Sequence, residues 1–450
     1  MGNLPEGWIE IALSQILEFL ESGSRPKGGV RGIADGIPSL GGEHLNYNGG
    51  FKFESIKYVP VEFAHKMKRG HIQKNDILVV KDGATTGKTA HVNENFPYKK
   101  AVVNEHVFIC RPYNELESRF VFRFLMSQEG QNRILENFQG SAQGGINLSF
   151  APNTLIPLAP LNEQKRIVAK LEKLLAKVDT TQERLRKIPL ILKHFRQSIL
   201  MQAVTGELTR DWRKQNKYIF DWKESVLSDV IVEKPRNGYS PKSVNHETSV
   251  KSLTLTATTS GRFKSECFKY IDEKIDENSY LWLKKEDILI QRSNSIDYVG
   301  VSAIYYGPDQ EFIYPDLMMK VKANKNILTE YLFYSLSNKS TRSYFRQNAT
   351  GTAGNMPKIN QGTVMNTPIL LPSIEEQQEI VKRVKALFDT ADKLEERYKK
   401  AKIYTDKLSQ SILNKAFKGE LIPQDPSDEA ASVLLKKIKA EKGKQLCQKK

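Results

Sequence analysis

Three stretches of this 450-residue chain come close to a chemical motif, and each lacks the part that would do the chemistry. Residues 82–89 read DGATTGKT, close to the loop whose backbone amides cradle nucleotide phosphates. That loop needs a glycine six positions before its lysine, and Asp82 stands there instead, six before Lys88. The surrounding pattern is strand–turn–strand, without a helix N-terminus to complete the anion site. Residues 95–98, Asn-Phe-Pro-Tyr, approximate the Asn-Pro-Pro-Tyr with which adenine methyltransferases grip a flipped base. One proline is missing and no glycine-rich strand–turn–helix for a methyl donor precedes it, so a plain turn is expected. Pro315-Asp316 begins like a nuclease motif in which carboxylates hold a metal, but no later acidic residue is followed two positions on by lysine. The seven histidines show no ligand spacing, and Cys110, Cys267 and Cys447 show neither paired nor zinc-type spacing. The chain reads as catalytically empty, with no catalytic residue, no metal and no cofactor of its own.

What remains is charge and polar reach. A net +16 and a pI near 9.4 suggest a polyanionic partner, nucleic acid being the commonest. Lysine and arginine on phosphates supply affinity, while arginine, asparagine and glutamine read base edges. In the first half the candidates are Arg25, Lys27 and Arg31 in a glycine-rich loop, then Lys81 and Lys88 beside a strand-linking turn. Ser141, Gln143 and Asn147 in the Gly140–Ser149 stretch follow. In the second half the counterparts are Lys242, Arg292, Asn294, Thr352, Asn355 and Lys358. The competing reading makes these cations solvated surface and the glycine stretches plain turns. Trp8 and Trp222 are expected to be core anchors.

The elements that position these residues occur twice. Residues 163–179, EQKRIVAKLEKLLAKVD, align with 376–392, EQQEIVKRVKALFDTAD, at an offset of 213. Residues 197–208, QSILMQAVTGEL, align with 410–421, QSILNKAFKGEL, at the same offset with eight of twelve residues kept. Weaker echoes pair Trp8 with Trp222, Arg25-Pro26-Lys27 with Ser240-Pro241-Lys242, and Asn75-Asp76-Ile77-Leu78 with Glu286-Asp287-Ile288-Leu289.

Within the repeated segments, Ile167, Leu171, Leu174, Val178, Thr181, Leu185, Ile188, Leu192, Phe195 and Ile199 alternate steps of four and three. Ile380, Val384, Leu387, Ala391, Leu394, Tyr398, Ala401, Thr405, Leu408 and Ile412 do the same. That period predicts two long helices with a coiled-coil seam, each other's natural partner as an antiparallel pair, with a kink at Pro189. The blocks between carry short β-rich runs such as Ile77–Val80, Val107–Ile109 and Ile288–Ile290, with helices near Phe120–Leu125 and Glu330–Leu336. The expected fold class is α+β: two domains with twisted, mainly antiparallel sheets, separated by two long helices. The boundaries fall at 1–160, 161–206, 207–373 and 374–420, with a basic tail at 421–450 that holds a short amphipathic helix. The lysine-rich end of that tail after Lys436 is expected to be disordered. No run of about 18 apolar residues or signal segment is evident, and cysteine is scarce, which points to the cytoplasm.

With the duplication in view, the chain resembles the specificity subunits of type I restriction–modification systems, particularly the enterobacterial type IA group. The resemblance rests on Leu4-Pro5-Glu6-Gly7-Trp8, Pro-Leu-x-Glu-Gln at 160–164, Gln197-Ser198-Ile199-Leu200 leading into Gly206-Glu207-Leu208, and DEAASVLLKKIKAEK at 428–442. It implies two target-recognition domains that each read half of a gapped double-stranded DNA target. It also implies two modification subunits docked on the helices to methylate adenine, and two further subunits for ATP-driven translocation and cleavage. S-adenosylmethionine, ATP and Mg2+ would then belong to those partners. A non-catalytic coiled-coil DNA-binding scaffold, or a single-chain methyltransferase or nuclease with unrecognised motifs, are the alternatives.

Overall fold

The seven-residue stripes give two helices of equal length, Leu161–Val204 and Ile374–Phe417, each of 44 residues. The computed structural model describes residues 4–140, 144–216, 222–351 and 356–448. The chain divides into two compact units, Met1–Leu185 with Ala401–Lys450 and Arg186–Lys400, so the division falls inside both long helices. In the first unit Ile167, Leu171, Leu175 and Val178 share a core with Ile412, Leu413, Ala416 and Phe417. In the second, Ile199, Leu200 and Ala203 share one with Ile380, Val381 and Val384. Burying each of the Val, Leu, Ile and Phe side chains among them contributes about 1.5–3 kcal/mol. Within the second unit the segments run antiparallel: Arg196 meets Asp392 and Glu395 at 2.7 and 2.8 Å, while the later Leu208 carbonyl accepts from Arg383 at 2.8 Å.

Parts of the stripe lie open, since Thr181, Phe195 and Leu394 are exposed. Helix 161–204 continues through Pro189. Both helices are followed by glycine in the left-handed region, Gly206 at φ 77° and Gly419 at φ 73°. A side chain is strained in that conformation, which accounts for the glycine of the repeated Gly-Glu-Leu.

Among the described residues each unit carries two sheets of three or four strands, besides a two-stranded ladder. In the first, strands Leu17–Ser22, Val107–Pro112, Ile77–Val80 and Thr89–His91 form an antiparallel sheet in that order. Lys57–Val59, Ile37–Leu40 and Val102–Val103 form another, with its last pair parallel. In the second unit the orders are Arg236–Asn237, Met318–Val321, Ile288–Gln291, Ser302–Ile304, and Ser243–Val244, Phe268–Ile271, Val250–Leu253, Phe312–Ile313. Again only the last pair of the second sheet is parallel. A helix pair follows in each unit, Ser118–Met126 with Gln128–Leu135 and Thr329–Ser337 with Lys339–Gln347. The class is α+β with mainly antiparallel sheets.

The repeated motifs are structural joints. Trp8 Nε1 donates to Glu163 Oε2 at 3.0 Å, and Trp222 Nε1 donates to Glu376 Oε2 at 3.1 Å. Gln164 bridges the Ala159 carbonyl and the Glu117 amide, as Gln377 bridges the Pro372 carbonyl and the Leu328 amide. The Glu-Gln opening thus fastens each long helix to its own block. Two-stranded ladders do the same, Ile9–Ala12 with Leu155–Leu158 and Lys223–Val226 with Pro368–Leu371. Asn75 and Glu286 occupy the left-handed region at φ 70° and 71°. The following aspartates close the turn: Asp76 accepts from the Gln73 amide at 2.6 Å and Asp287 from the Lys284 amide at 2.8 Å.

The tail departs from expectation only beyond Lys436, where disorder was expected. It forms a helix, Ala431–Gln448, that continues past Lys436, and Ala431, Leu434 and Ile438 are buried in the first unit's core. The Ala431 amide donates to the Gly7 carbonyl at 2.9 Å, so the tail is held by the N-terminal segment. Apolar residues at three- and four-residue spacing outweigh the lysines between them. Among the described residues no helix is long and apolar enough to cross a membrane.

Candidate nucleic-acid interface

Four segments converge at one end of the main sheet in the first unit. Strand 77–80 runs on into Lys81 and Asp82, whose backbone pairs with residues 144–146, themselves paired with Gln139. Ile146 N donates to Lys81 O at 2.7 Å, Gly83 N to Gly144 O at 3.2 Å, and Gln139 and Gly145 exchange two bonds at 2.9 Å. The Lys81 amide donates to the His106 carbonyl at 2.8 Å. Onto this platform comes Arg25, which ion-pairs with Glu105 and donates to His106 Nε2 at 2.7 Å. His106 Nδ1 in turn lies 2.6 Å from Asp82 Oδ1, and Lys81 Nζ donates to the Glu105 carbonyl at 3.2 Å. Arg25, Lys81, Asp82, Glu105 and His106 therefore form one partly exposed cluster of donors and acceptors, the equipment for reading base edges. The Arg25–Glu105 pair is solvent-exposed and adds at most about 1 kcal/mol, so a nucleic acid can displace it.

The other first-half candidates are placed differently. Lys27 and Arg31 are exposed in the loop that follows Arg25. Lys88 donates to the Gly42 and Leu45 carbonyls at 3.1 and 3.0 Å and lies 4.8 Å from the Tyr47 ring centre. Burial and neighbouring Lys52 push its ammonium below the usual lysine range. Lys88 thus braces a loop. Asn147 accepts from the Ser149 amide at 2.8 Å, shaping the turn before helix Phe150–Asn153. Ser141 and Gln143 lie outside the described residues.

The second unit repeats the arrangement. Strand 288–291 runs on into Arg292 and Ser293, and Ile359 N donates to Arg292 O at 2.9 Å. Thr350 and Lys358 exchange two bonds at 2.8 Å, and the Arg292 amide donates to Leu317 O at 2.9 Å. Arg292 Nη1 donates to the Asp316 carbonyl at 3.2 Å, while the Asp316 carboxylate accepts from Ser240 Oγ at 2.5 Å. Ser240 and Asp316 hold the places of Arg25 and Glu105. Lys358 lines a 480 Å³ hollow with Ser293, Leu317, Thr350, Gly351 and Met356. Asn294 donates to Gln291 Oε1 at 2.7 Å, and Lys242 is exposed two residues beyond Ser240. Thr352 and Asn355 lie outside the described residues.

The turn next to each cluster is clamped from behind. Gln131 Nε2 donates to Gly87 O at 3.0 Å, and Arg342 donates to Val299 O at 2.5 Å and to Asp297 O at 2.9 Å. Burial pushes Arg342 down to about 10, still charged at neutral pH. The clamp leaves Ile296 and Tyr298 exposed on a fixed loop. Sequence reasoning missed Asp82, Glu105, His106, Ser240 and these loop residues because it sought cations and glycine-flanked amides and hydroxyls, not carboxylates or histidine. A signal was present: Glu105 and Asp316 stand 211 residues apart, the same offset that relates Asp76 to Asp287.

The family described as "Type I restriction modification DNA specificity domain" matches this chain twice, over residues 5–190 and again over 219–404. The EcoKI specificity subunit of Escherichia coli (strain K12) is 30% identical over 456 residues, 98% of this chain and 97% of that protein. The chain belongs to the specificity subunits of type I restriction enzymes. The StySPI specificity subunit of Salmonella potsdam is likewise 30% identical, over 98% of this chain and 96% of its own length. These relatives put the subunit with the enterobacterial type IA group. Two solved structures share the fold. One, from work on complex assembly and conformational transition of the type I R-M system, has a TM-score of 0.65 at 17% identity and covers 94% of this chain and 100% of its own. The other, the HsdS subunit from Thermoanaerobacter tengcongensis, has a TM-score of 0.60 at 19% identity and covers 93% of this chain and 99% of its own. As a specificity subunit the chain supplies DNA-sequence specificity and is not itself an enzyme; catalysis resides in partner subunits.

Proposed function

We propose that residues 1–160 and 207–373 are two independent readers, each recognising one half of a gapped double-stranded DNA target. The observation that carries this is the paired construction: each block has its own sheet-end cluster and its own Trp–Glu joint to a long helix. Arg25, Lys81 and the exposed Lys27 and Arg31 face one half-site; Arg292, Lys358 and Lys242 face the other. Phosphate contacts from the lysines supply most of the affinity, and the arginines and acidic acceptors select bases.

Two modification subunits dock on the long helices (161–206 and 374–420) and methylate adenine in each half, and two restriction subunits complete the assembly. S-adenosylmethionine, ATP and Mg2+ are bound by those partners. A count of two modification subunits is supported by a repeated apolar patch. Leu190 and Ile191 are 57% and 60% exposed, and Ile403 and Tyr404, at an offset of 213, are 59% and 68% exposed. Large apolar side chains left open at equivalent places mark equivalent protein contacts. Methylome sequencing of cells that express this subunit with its modification subunit tests the reading. The expected result is one two-part motif with a methylated adenine in each half, and a continuous motif would refute it.

A further inference from the structure

The two units differ at one place where their framework is otherwise the same. In the first, Arg133 of helix Gln128–Leu135 reaches Glu10 at 2.9 Å and the Leu155 carbonyl at 2.6 Å, with Glu129 at 2.5 Å. Its Nη1 bridges the two strands of the ladder that joins block to helix, and Nη2 takes the Glu129 contact. In the second unit the ladder keeps its carboxylate, since Glu224 opposes Leu370 as Glu10 opposes Pro157. The helix does not keep its arginine. Counting from the N-caps Ser127 and Asn338, the place of Arg133 is taken by Tyr344 and that of Glu129 by Ser340. The Tyr344 hydroxyl turns away, to the Thr363 and Asn366 carbonyls, both at 3.3 Å.

A 710 Å³ pocket opens there, walled by Met201, Val204, Ile369 and Leu370 and edged by Glu224 and Asp229. Among the described residues Glu224 has no ion-pair partner. The Val226 amide and Ser225 hydroxyl hold Asp229 below the usual carboxylate range, so it is charged at neutral pH. A net +16 protein thus presents a negative, apolar-walled recess.

We propose that this pocket takes an arginine side chain from the modification subunit. The proposal rests on the reading that this subunit docks along the long helices, since Met201 and Val204 belong to the last turn of helix 161–204. The apolar walls suit the arginine's methylene stem, and Glu224 with the Pro368 carbonyl offers the acceptor pair that Glu10 and Leu155 offer Arg133. Arg133 spans its pair through Nη1 and keeps Nη2 for a third acceptor, a spread of donors that one compact ammonium does not reproduce. The first unit fills its site from within, so the second is open to a partner.

The test has two arms. The purified chain is titrated with N-acetyl-arginine amide, and with the lysine and norleucine amides as controls. Saturable binding of the arginine amide is expected, about ten-fold or more tighter than either control, lost in Tyr344→Arg and weakened in Glu224→Gln. Equal binding of all three amides, or none, overturns the pocket. In the second arm, association with the modification subunit should weaken about ten-fold in both variants while their folded content is unchanged. Unaltered association overturns the partner assignment. If the wild-type chain itself fails to bind the modification subunit, the proposed function fails instead, and the arginine titration still judges the pocket.

Discussion

Replacing Glu376 by glutamine should damage the second unit far more than replacing Glu163 damages the first. Both carboxylates are buried at equivalent joints, and each accepts from a tryptophan indole. Their remaining partners differ. Glu376 also ion-pairs with Arg213 and accepts from Thr209 Oγ1 at 2.6 Å. Glu163 has no ion-pair partner among the described residues, only the Arg166 and Gln424 side chains nearby, and burial pushes that carboxyl above its usual range. Glutamine keeps an acceptor for the indole in both. At 376 it strips Arg213 of its counter-charge. Breaking a fully buried pair costs about 3–5 kcal/mol; Arg213 is 22% exposed and keeps the Gly206 carbonyl, so about 2 kcal/mol is expected. At 163 the cost should be about 0–1 kcal/mol, because no ion pair is broken there and glutamine removes a charge that burial disfavours. Hydrogen exchange read separately on the two ladders measures this. Glu376→Gln should cut protection of 223–226 and 368–371 by about 30-fold, and Glu163→Gln should leave 9–12 and 155–158 within about five-fold. Equal losses, or a larger loss at 163, would refute the account of these joints.

Two further outcomes follow from other residues. His91 is buried against Ser118 Oγ at 2.9 Å, and burial with Arg119 and Arg123 nearby pushes it down to about 4. The unfolded chain therefore takes up that proton first, so this contribution is complete above about pH 6.5 and drains as pH falls toward 4. By pH 4 about 3 kcal/mol should be lost from the first unit, and His91→Gln should flatten that part of an acid-denaturation curve; an unchanged curve would remove His91 from the cause. Lys358→Ala leaves the backbone pairing with Thr350 in place, so it should weaken DNA binding and make the log–log salt dependence shallower by about one. An unchanged slope and affinity would return Lys358 to the solvated surface.

Much of the framework was legible because it is periodic or repeated. Ile167, Leu171, Val178, Leu192 and Ile199 are buried as their spacing requires. Thr181 and Phe195 fit the same spacing but are exposed, because a stripe fixes a helix face and not whether a partner covers it. The tail helix was legible as a short amphipathic one, but its run past Lys436 was masked by its lysines, although Ala431, Leu434 and Ile438 form a buried face. The interface was harder to read. Arg25 and Lys81 meet at one cluster, yet what joins them is Glu105 and His106, about 80 residues beyond Arg25. Contacts of that separation leave no local pattern. Lys88 looked like a phosphate ligand beside its glycine and is tied to two backbone carbonyls instead. Charge identifies a cation in sequence, but burial decides whether it is spent on the fold.

The most direct test exchanges one reader and leaves the rest of the chain alone. Residues 1–155, which end where the Leu155–Leu158 strand begins, are replaced by the matching block of a relative with a different target, and the methylome of the host is sequenced. Independent readers predict that one half of the two-part motif changes to the donor's and that the half read by Arg292 and Lys358 stays as it was. A change in both halves together, in a hybrid that still directs methylation, would contradict the account.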